Sequence, residues 1–357
     1  MVIFYILLLV FILFALLENT LTLKSKYYIF VLGGLILILF AGLRGPAVDK
    51  DYLDYLKYYQ QLPTIEFLLT NTSSFFLIIK TEPTYILISS FIKTYFSNGF
   101  PVVIFFYAIL GVTLKLKAIS KLTDLILLSM LIYFSRLFLL QDMIQIRAGV
   151  AAGFVLLSIP SIQEKNIKTF IIYLLLGVSF HYSALIIAPF FFFNSKKIDK
   201  LIYTLVIILP IILCLIKLDF VSIIAKFDFG FITEKINIYI ARQKELKETV
   251  ILFGIGRIVQ ITLGIVFIFY SEKIDNKYAI LLTKINCLGI ACFYLFPNIP
   301  PIALRLSELL CCAQIILLPL LVYIIKPRIV AETIIIISSV IYLMNVTDLF
   351  KTYYTIF

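Results

Sequence analysis

The chain has one histidine, His181, among 357 residues. A multi-histidine metal centre is therefore excluded. Cysteine offers no substitute. Cys214, Cys287, Cys292, Cys311 and Cys312 all lie in apolar runs, in odd number and at no zinc or redox spacing, and read as small core residues. No P-loop, Rossmann glycine pattern, Ser-His-Asp order or catalytic cysteine context occurs, so neither a nucleotide fold nor a hydrolase triad is written here. Charge is scarce as well. Only 14% of residues are charged against 62% hydrophobic, with a mean hydropathy of +1.08. A soluble domain is about half apolar and about a quarter charged, so the chain is expected to be an all-α, polytopic integral membrane protein. Its net charge of +11 then concerns orientation and lipid headgroups, and nucleic acid is not an expected partner.

Arginine is the scarcer cation, seven residues against twenty-four lysines, and the two types occupy different places. Lysines mark junctions between apolar runs at 24–26, 115–121, 165–168, 196–200 and 273–277. Arg44, Arg136, Arg147, Arg257 and Arg305 lie inside or at the rim of runs apolar enough for lipid. An arginine at membrane depth costs at least ~2.5 kcal/mol, so it is expected to be paired, functional or both. Its planar fork suits phosphate and carboxylate better than a lysine does.

A spanning helix needs ~17 to 25 residues, and apolar runs of about that size occur at 2–17, 27–43, 100–114, 122–140, 143–162, 168–182, 183–195, 201–217, 250–271, 278–296, 302–325 and 329–347. They predict about 11 to 14 transmembrane helices in a single domain over 1–347, followed by a short tail, 348–357. The run 2–17 lacks a basic n-region and a cleavage signal and reads as a first span. Placing the lysine junctions and 326–328 in the cytoplasm sets the loops 44–82 and 218–249 outside. It also brings Arg44, Arg136, Arg147, His181 and Arg305 near the outer ends of their spans, with Arg257 about two turns in from that side. Parity then requires 83–97 to be re-entrant or 65–80 to cross. A charge-rich stretch at 234–248 reads as an amphipathic segment on the outer interface.

Four polar constellations interrupt the apolar pattern. Leu43-Arg44-Gly45 precedes Asp49-Lys50-Asp51-Tyr52, whose D-x-D pair reads either as a metal-holding motif or as a solvated acidic loop. Ser135-Arg136 and Gln141 to Gly149 place Gln145 and Arg147 beside the small residues Ala148, Gly149, Ala151 and Ala152, which admit close approach. His181, in Phe180-His181-Tyr182-Ser183, is either an interface residue or a general base for a hydroxyl proton. Arg305 stands three residues before Glu308, a spacing that allows self-pairing.

The ordered set resembles the EpsG/Wzy-like polysaccharide polymerases, bacterial membrane proteins that extend O-antigen, capsule or exopolysaccharide. The carrying residues are Leu43-Arg44-Gly45 with Asp51-Tyr52 and Tyr55, and Glu82-Pro83-Thr84-Tyr85. After these come Gln145-Ile146-Arg147-Ala148-Gly149, Phe180-His181-Tyr182-Ser183-Ala184, and Arg305 ahead of Pro319. The chain departs from the family in having Ala148 where glutamine is frequent, and in an extra residue between Arg44 and Asp51. The resemblance implies a GT-C-like membrane glycosyltransferase of the bacterial cytoplasmic membrane with its active site facing the periplasm. Its implied substrates are oligosaccharide repeat units on undecaprenyl pyrophosphate, with membrane lipid, a flippase and a chain-length regulator as implied partners. No cofactor and no metal are expected, since arginines would neutralise the pyrophosphate. The residues it points to are Asp51, His181 and Arg147 for catalysis and Arg44, Glu82, Arg136, Gln145 and Arg305 for substrate binding. An O-antigen ligase, a lipid-linked sugar flippase and an acyltransferase using His181 stay open as alternatives.

Overall fold

In lipid every backbone polar group must find its partner within the segment, which leaves helices as the economical solution for an apolar chain. The computed structural model describes residues 2–46, 50–71, 82–193, 195–218 and 250–354, and among them there is no strand. Asp49, the stretch 234–248 and the last three residues lie outside the described residues. Eight helical stretches are long and apolar enough to cross a membrane, and four shorter apolar helices accompany them. The chain is thus an all-α, multi-pass membrane protein, and the helices fall close to the runs expected from composition.

The helices divide between two compact units. The first, residues 1–191 and 318–357, contains α1 (Val2–Leu16), α2 (Leu23–Gly42), α3 (Lys50–Gln61), α4 (Ile65–Thr70), α5 (Pro83–Tyr95) and α6 (Gly99–Leu122). It continues with α7 (Ile126–Ile132), which widens into a π-helix over Tyr133–Ile144, then α8 (Ile146–Gln163), α9 (Ile167–Phe180) and a 3₁₀ stretch, Tyr182–Phe192. The second unit, residues 192–317, holds α10 (Lys200–Leu215), α11 (Ile255–Tyr270), α12 (Ala279–Leu295) and α13 (Pro300–Leu310). The final helix, α14 (Arg328–Tyr354), belongs to the first unit.

Within the first unit α6 is the hub, packed on α2, α5 and α8. Gly34 meets Leu116 and Gly42 meets Phe105, which sets α2 antiparallel to α6. Gly111 faces Gly149 and Gly153 faces Leu114, which sets α6 and α8 parallel. The outward sides of α2 and α9 are apolar (Leu32, Leu35 and Leu39; Ile171, Ile172 and Leu175), as a lipid-facing surface requires.

Helix α6 extends well past the expected limit at 114 and takes in the whole lysine cluster. Lys117 and Lys121 are exposed near its end, but Lys115 is fully buried. It is therefore an interior charge and no marker of the cytoplasmic surface, because Asp142 pairs with it.

Between Arg44 and Lys115 the described residues include a short helix, α5. Helix α5 has 13 residues, about 20 Å at 1.5 Å per residue, short of the ~30 Å hydrocarbon core. It runs antiparallel to α6, with Tyr85 against Tyr107 and Ile92 beside Gly99. Its far end is fastened to the same end of the unit as α3 and α4. Lys93 donates to the carbonyls of Tyr59, Gln60 and Leu62 at 3.3, 2.8 and 2.6 Å, and the amide of Ile65 donates to Thr94. Glu82 thus stands at the opposite end of α5 from α3 and α4, while 72–81, on which the choice between re-entry and crossing depends, lies outside the described residues.

A second buried acid stabilises the entry to α7. Glu18 is inaccessible to solvent, accepts from the amides of Leu127 and Leu128 at 2.7 and 3.0 Å, and pairs with Lys26 at 3.1 Å. It caps a helix more than a hundred residues away, where unpaired N–H groups and the dipole favour an anion. Glu18→Ala is expected to lower stability by about 1.5–3 kcal/mol, the range for hydrogen bonds to a charged group. The check is the thermal midpoint of the detergent-purified protein, which Glu18→Gln should lower less.

Candidate active site

Three of the polar motifs meet in the first unit, and each is delivered by a helix end. Glu82 occupies the N-cap position of α5, just ahead of Pro83, whose fixed φ suits the first helical residue. Its carboxylate does not cap its own helix. Instead Glu82 forms a hydrogen-bonded ion pair with Arg147 at the start of α8. His181 ends α9 in extended conformation, and its Nε2 stands 3.9 Å from Glu82 Oε1. Thr84 donates to the carbonyl of Ser179 at 2.7 Å and so fastens the start of α5 to the end of α9.

The ring orientation of His181 is set locally. The backbone N–H of Ser183 donates to His181 Nδ1 at 3.3 Å, and the Ser183 hydroxyl lies 2.5 Å from the same nitrogen. A backbone N–H can only donate, so Nδ1 is an acceptor and the neutral ring carries its proton on Nε2, facing Glu82. Histidine here presents a donor to the carboxylate.

Aromatic rings wall the cluster. The Arg147 guanidinium lies 5.5 Å from the centre of the Tyr55 ring and 5.7 Å from that of Tyr85. Tyr85 donates to the Tyr55 backbone carbonyl at 2.9 Å and packs on Tyr107, which in turn meets Phe180 edge-on. Burial pushes the Tyr55 phenol above its usual pKa, against the pull of Arg147, so it stays a neutral hydrogen-bonding group at physiological pH. Aromatic packing of this kind lowers the local dielectric and strengthens the charge interactions beside it. Such a site can hold an oxyanion on Arg147 while a carboxylate waits beside it.

The other expected residues fall as follows. Asp51 lies in the first turn of α3, one turn before Tyr55, and its charge acts on that phenol. Gln145 is half-buried at the break between the π-helix and α8. Arg44 is buried just beyond α2, donating to the Ala41 carbonyl at 2.7 Å, two residues from the Gly42–Phe105 contact. Arg136 is not brought into the cluster; its guanidinium stacks 4.7 Å from the Tyr342 ring of α14. Arg305 is exposed on α13 in the second unit. Arg257, also there, stacks 3.8 Å from the Phe293 ring and donates to Gln260 and Ser307 at 2.8 and 3.3 Å, a local polar knot in an apolar core.

The sequence reading missed the buried partner of Asp142. An acid inside an apolar run requires a cation nearby, and that requirement was the available signal.

Residues 27–355 match the EpsG family. A curated relative, the amylovoran biosynthesis protein AmsC of Erwinia amylovora, is 27% identical over 173 residues, which make up 48% of this chain and 46% of the relative. The aligned part thus spans about half the length of that relative. No solved structure matches the chain.

Proposed function

Because the chain belongs to the EpsG family, we propose that it is a membrane glycosyltransferase that polymerises a polysaccharide. Its substrates are oligosaccharide repeat units on undecaprenyl pyrophosphate at the outer face of the bacterial cytoplasmic membrane. A flippase supplies the units and a chain-length regulator acts beside it. The relative named for amylovoran biosynthesis supports a role in polysaccharide assembly. One observation carries the reading: Glu82, Arg147 and His181, drawn from three distant motifs, meet at one point.

The proposed reaction needs two things that this cluster supplies. An acceptor hydroxyl attacks the anomeric carbon of the growing chain, the bond to pyrophosphate breaks, and pyrophosphate leaves with the electron pair. Arg147, already oriented, takes up that charge, with the Nε2–H of His181 as a second donor; such donors act most strongly in the transition state. An incoming phosphate competes with Glu82 for the guanidinium. The carboxylate it displaces is freed to receive the hydroxyl proton. Asp51, a turn ahead of Tyr55, is the second acceptor within reach of that region, and Arg44 and Gln145 complete the sugar-phosphate contacts.

Deleting the gene tests the reading by product length. Single repeat units on the final carrier, with polymer restored by the wild-type chain, are the expected result. Full-length polymer retained on its lipid carrier would make the protein a ligase. Repeat units accumulating on the inner leaflet would make it a flippase.

A further inference from the structure

Beneath the cluster lies a second group of charges that the proposed chemistry does not use. Lys115 on α6 is fully buried, and its ammonium donates to Asp142 Oδ1 at 2.7 Å, to Asp142 Oδ2 at 3.0 Å and to the carbonyl of Gly149 at 2.7 Å. Tyr133 donates to Asp142 Oδ2 at 2.7 Å, and the Lys115 ammonium lies 5.6 Å from its ring. All three side chains are at most 2% exposed. Every ammonium proton has an acceptor, and the carboxylate accepts three hydrogen bonds from two donors.

The acceptors of Lys115 sit on both sides of a break in the helix. Asp142 belongs to the π-helix and Gly149 to the first turns of α8. Between them the π ladder ends with the Gln145 amide on the Leu140 carbonyl, and the α ladder begins with the Gly149 amide on the Gln145 carbonyl. Ile146, Arg147 and Ala148 lie between these two bonds, in the first turn of α8. A break in the hydrogen-bond ladder is a point at which a helical pair can bend. Arg147 is on it.

The close fit is bought with glycine. A side chain at Gly111 would collide with Asp142 Oδ1, and one at Gly149 would stand 2.5 Å from the Gln141 carbonyl. Both glycines admit α6 to the break, so that a lysine from α6 reaches across it.

We propose that Lys115, with Asp142 and Tyr133, is a positioning device. It staples the 142–149 break and so holds Arg147 at the angle at which it meets Glu82 and the substrate. This rests on the polymerase reading for its consequence in activity, but the stapling itself does not. A misplacement of about 1 Å at a reacting group can cost about 100-fold in rate.

The test uses the full chain in membranes, with Lys115→Met, Tyr133→Phe and Asp142→Leu combined. Replacing a whole buried ion pair by apolar groups of similar size usually leaves stability intact. The triple variant is expected to keep wild-type abundance and thermal midpoint. Its amides at 143–149 should exchange with deuterium severalfold faster, and polymer output should fall by about 100-fold. Gly111→Ala, which shifts the Asp142 carboxylate without removing a charge, should accelerate the same amides and serves as judge if the triple variant fails to accumulate. Wild-type exchange at 143–149 in either accumulating variant overturns the staple. Accelerated exchange with undiminished polymer overturns its positioning role. Exchange is read without substrate, so it stands even if the polymerase reading falls.

Discussion

Arg147→Ala is expected to reduce chain extension by about 100-fold or more, the usual loss for one preorganised donor at a developing oxyanion. The guanidinium touches Glu82 and the rings of Tyr55 and Tyr85, so its removal takes away charge, orientation and the partner of a buried carboxylate together. Arg147→Lys separates these effects. It keeps the positive charge but loses the planar fork, and it should recover abundance more fully than activity. A second control, Arg147→Ala with Glu82→Gln, relieves the unpaired carboxylate; abundance should return while extension stays lost. Membrane immunoblots give abundance, and gel ladders of the polysaccharide give extension. A wild-type ladder from abundant Arg147→Ala protein would remove Arg147 from the reaction.

Lys115→Met alone should have the largest effect on stability. It leaves the buried Asp142 carboxylate without its ammonium partner and with the Tyr133 hydroxyl as donor, and breaking one side of a buried pair costs about 3–5 kcal/mol. The protein should disappear from the membrane or melt far earlier in detergent. Adding Asp142→Leu and Tyr133→Phe should bring the thermal midpoint back towards the wild-type value, although the sequence has moved further from the natural one. That non-additivity is the signature of a shared network. A Lys115→Met variant with a wild-type midpoint would mean that the pair contributes nothing to the fold.

Much of this was legible in the sequence. The apolar runs located the helices because lipid tolerates little else, and the family motifs lay where the chain interrupts those runs. Arg147 and His181 were named for that reason and Glu82 through the family resemblance, and the structure joins them. Which motifs would touch was not legible. Arg136 interrupts an apolar run just as Arg147 does, yet it faces an aromatic ring on α14. Lys115 shows the limit most clearly. With Lys117 and Lys121 it forms a cluster that hydropathy reads as a membrane boundary, and only a carboxylate 27 residues away, brought close by glycine contacts, turns it into an interior residue. Glu18 hid for the same reason, since its acceptor role is visible only from the helix it caps.

The brevity of α5 carries a consequence for biogenesis. Thirteen residues are too few to be held by the insertion machinery as a span in their own right. Its packing on the longer α6 gives it an anchor, so α5 and α6 are expected to enter together as a hairpin. When Glu82 emerges, its arginine, 65 residues later, has still to be synthesised. The carboxylate therefore reaches its partner only after α8 has been laid down, which makes the Glu82–Arg147 pair a late product of assembly.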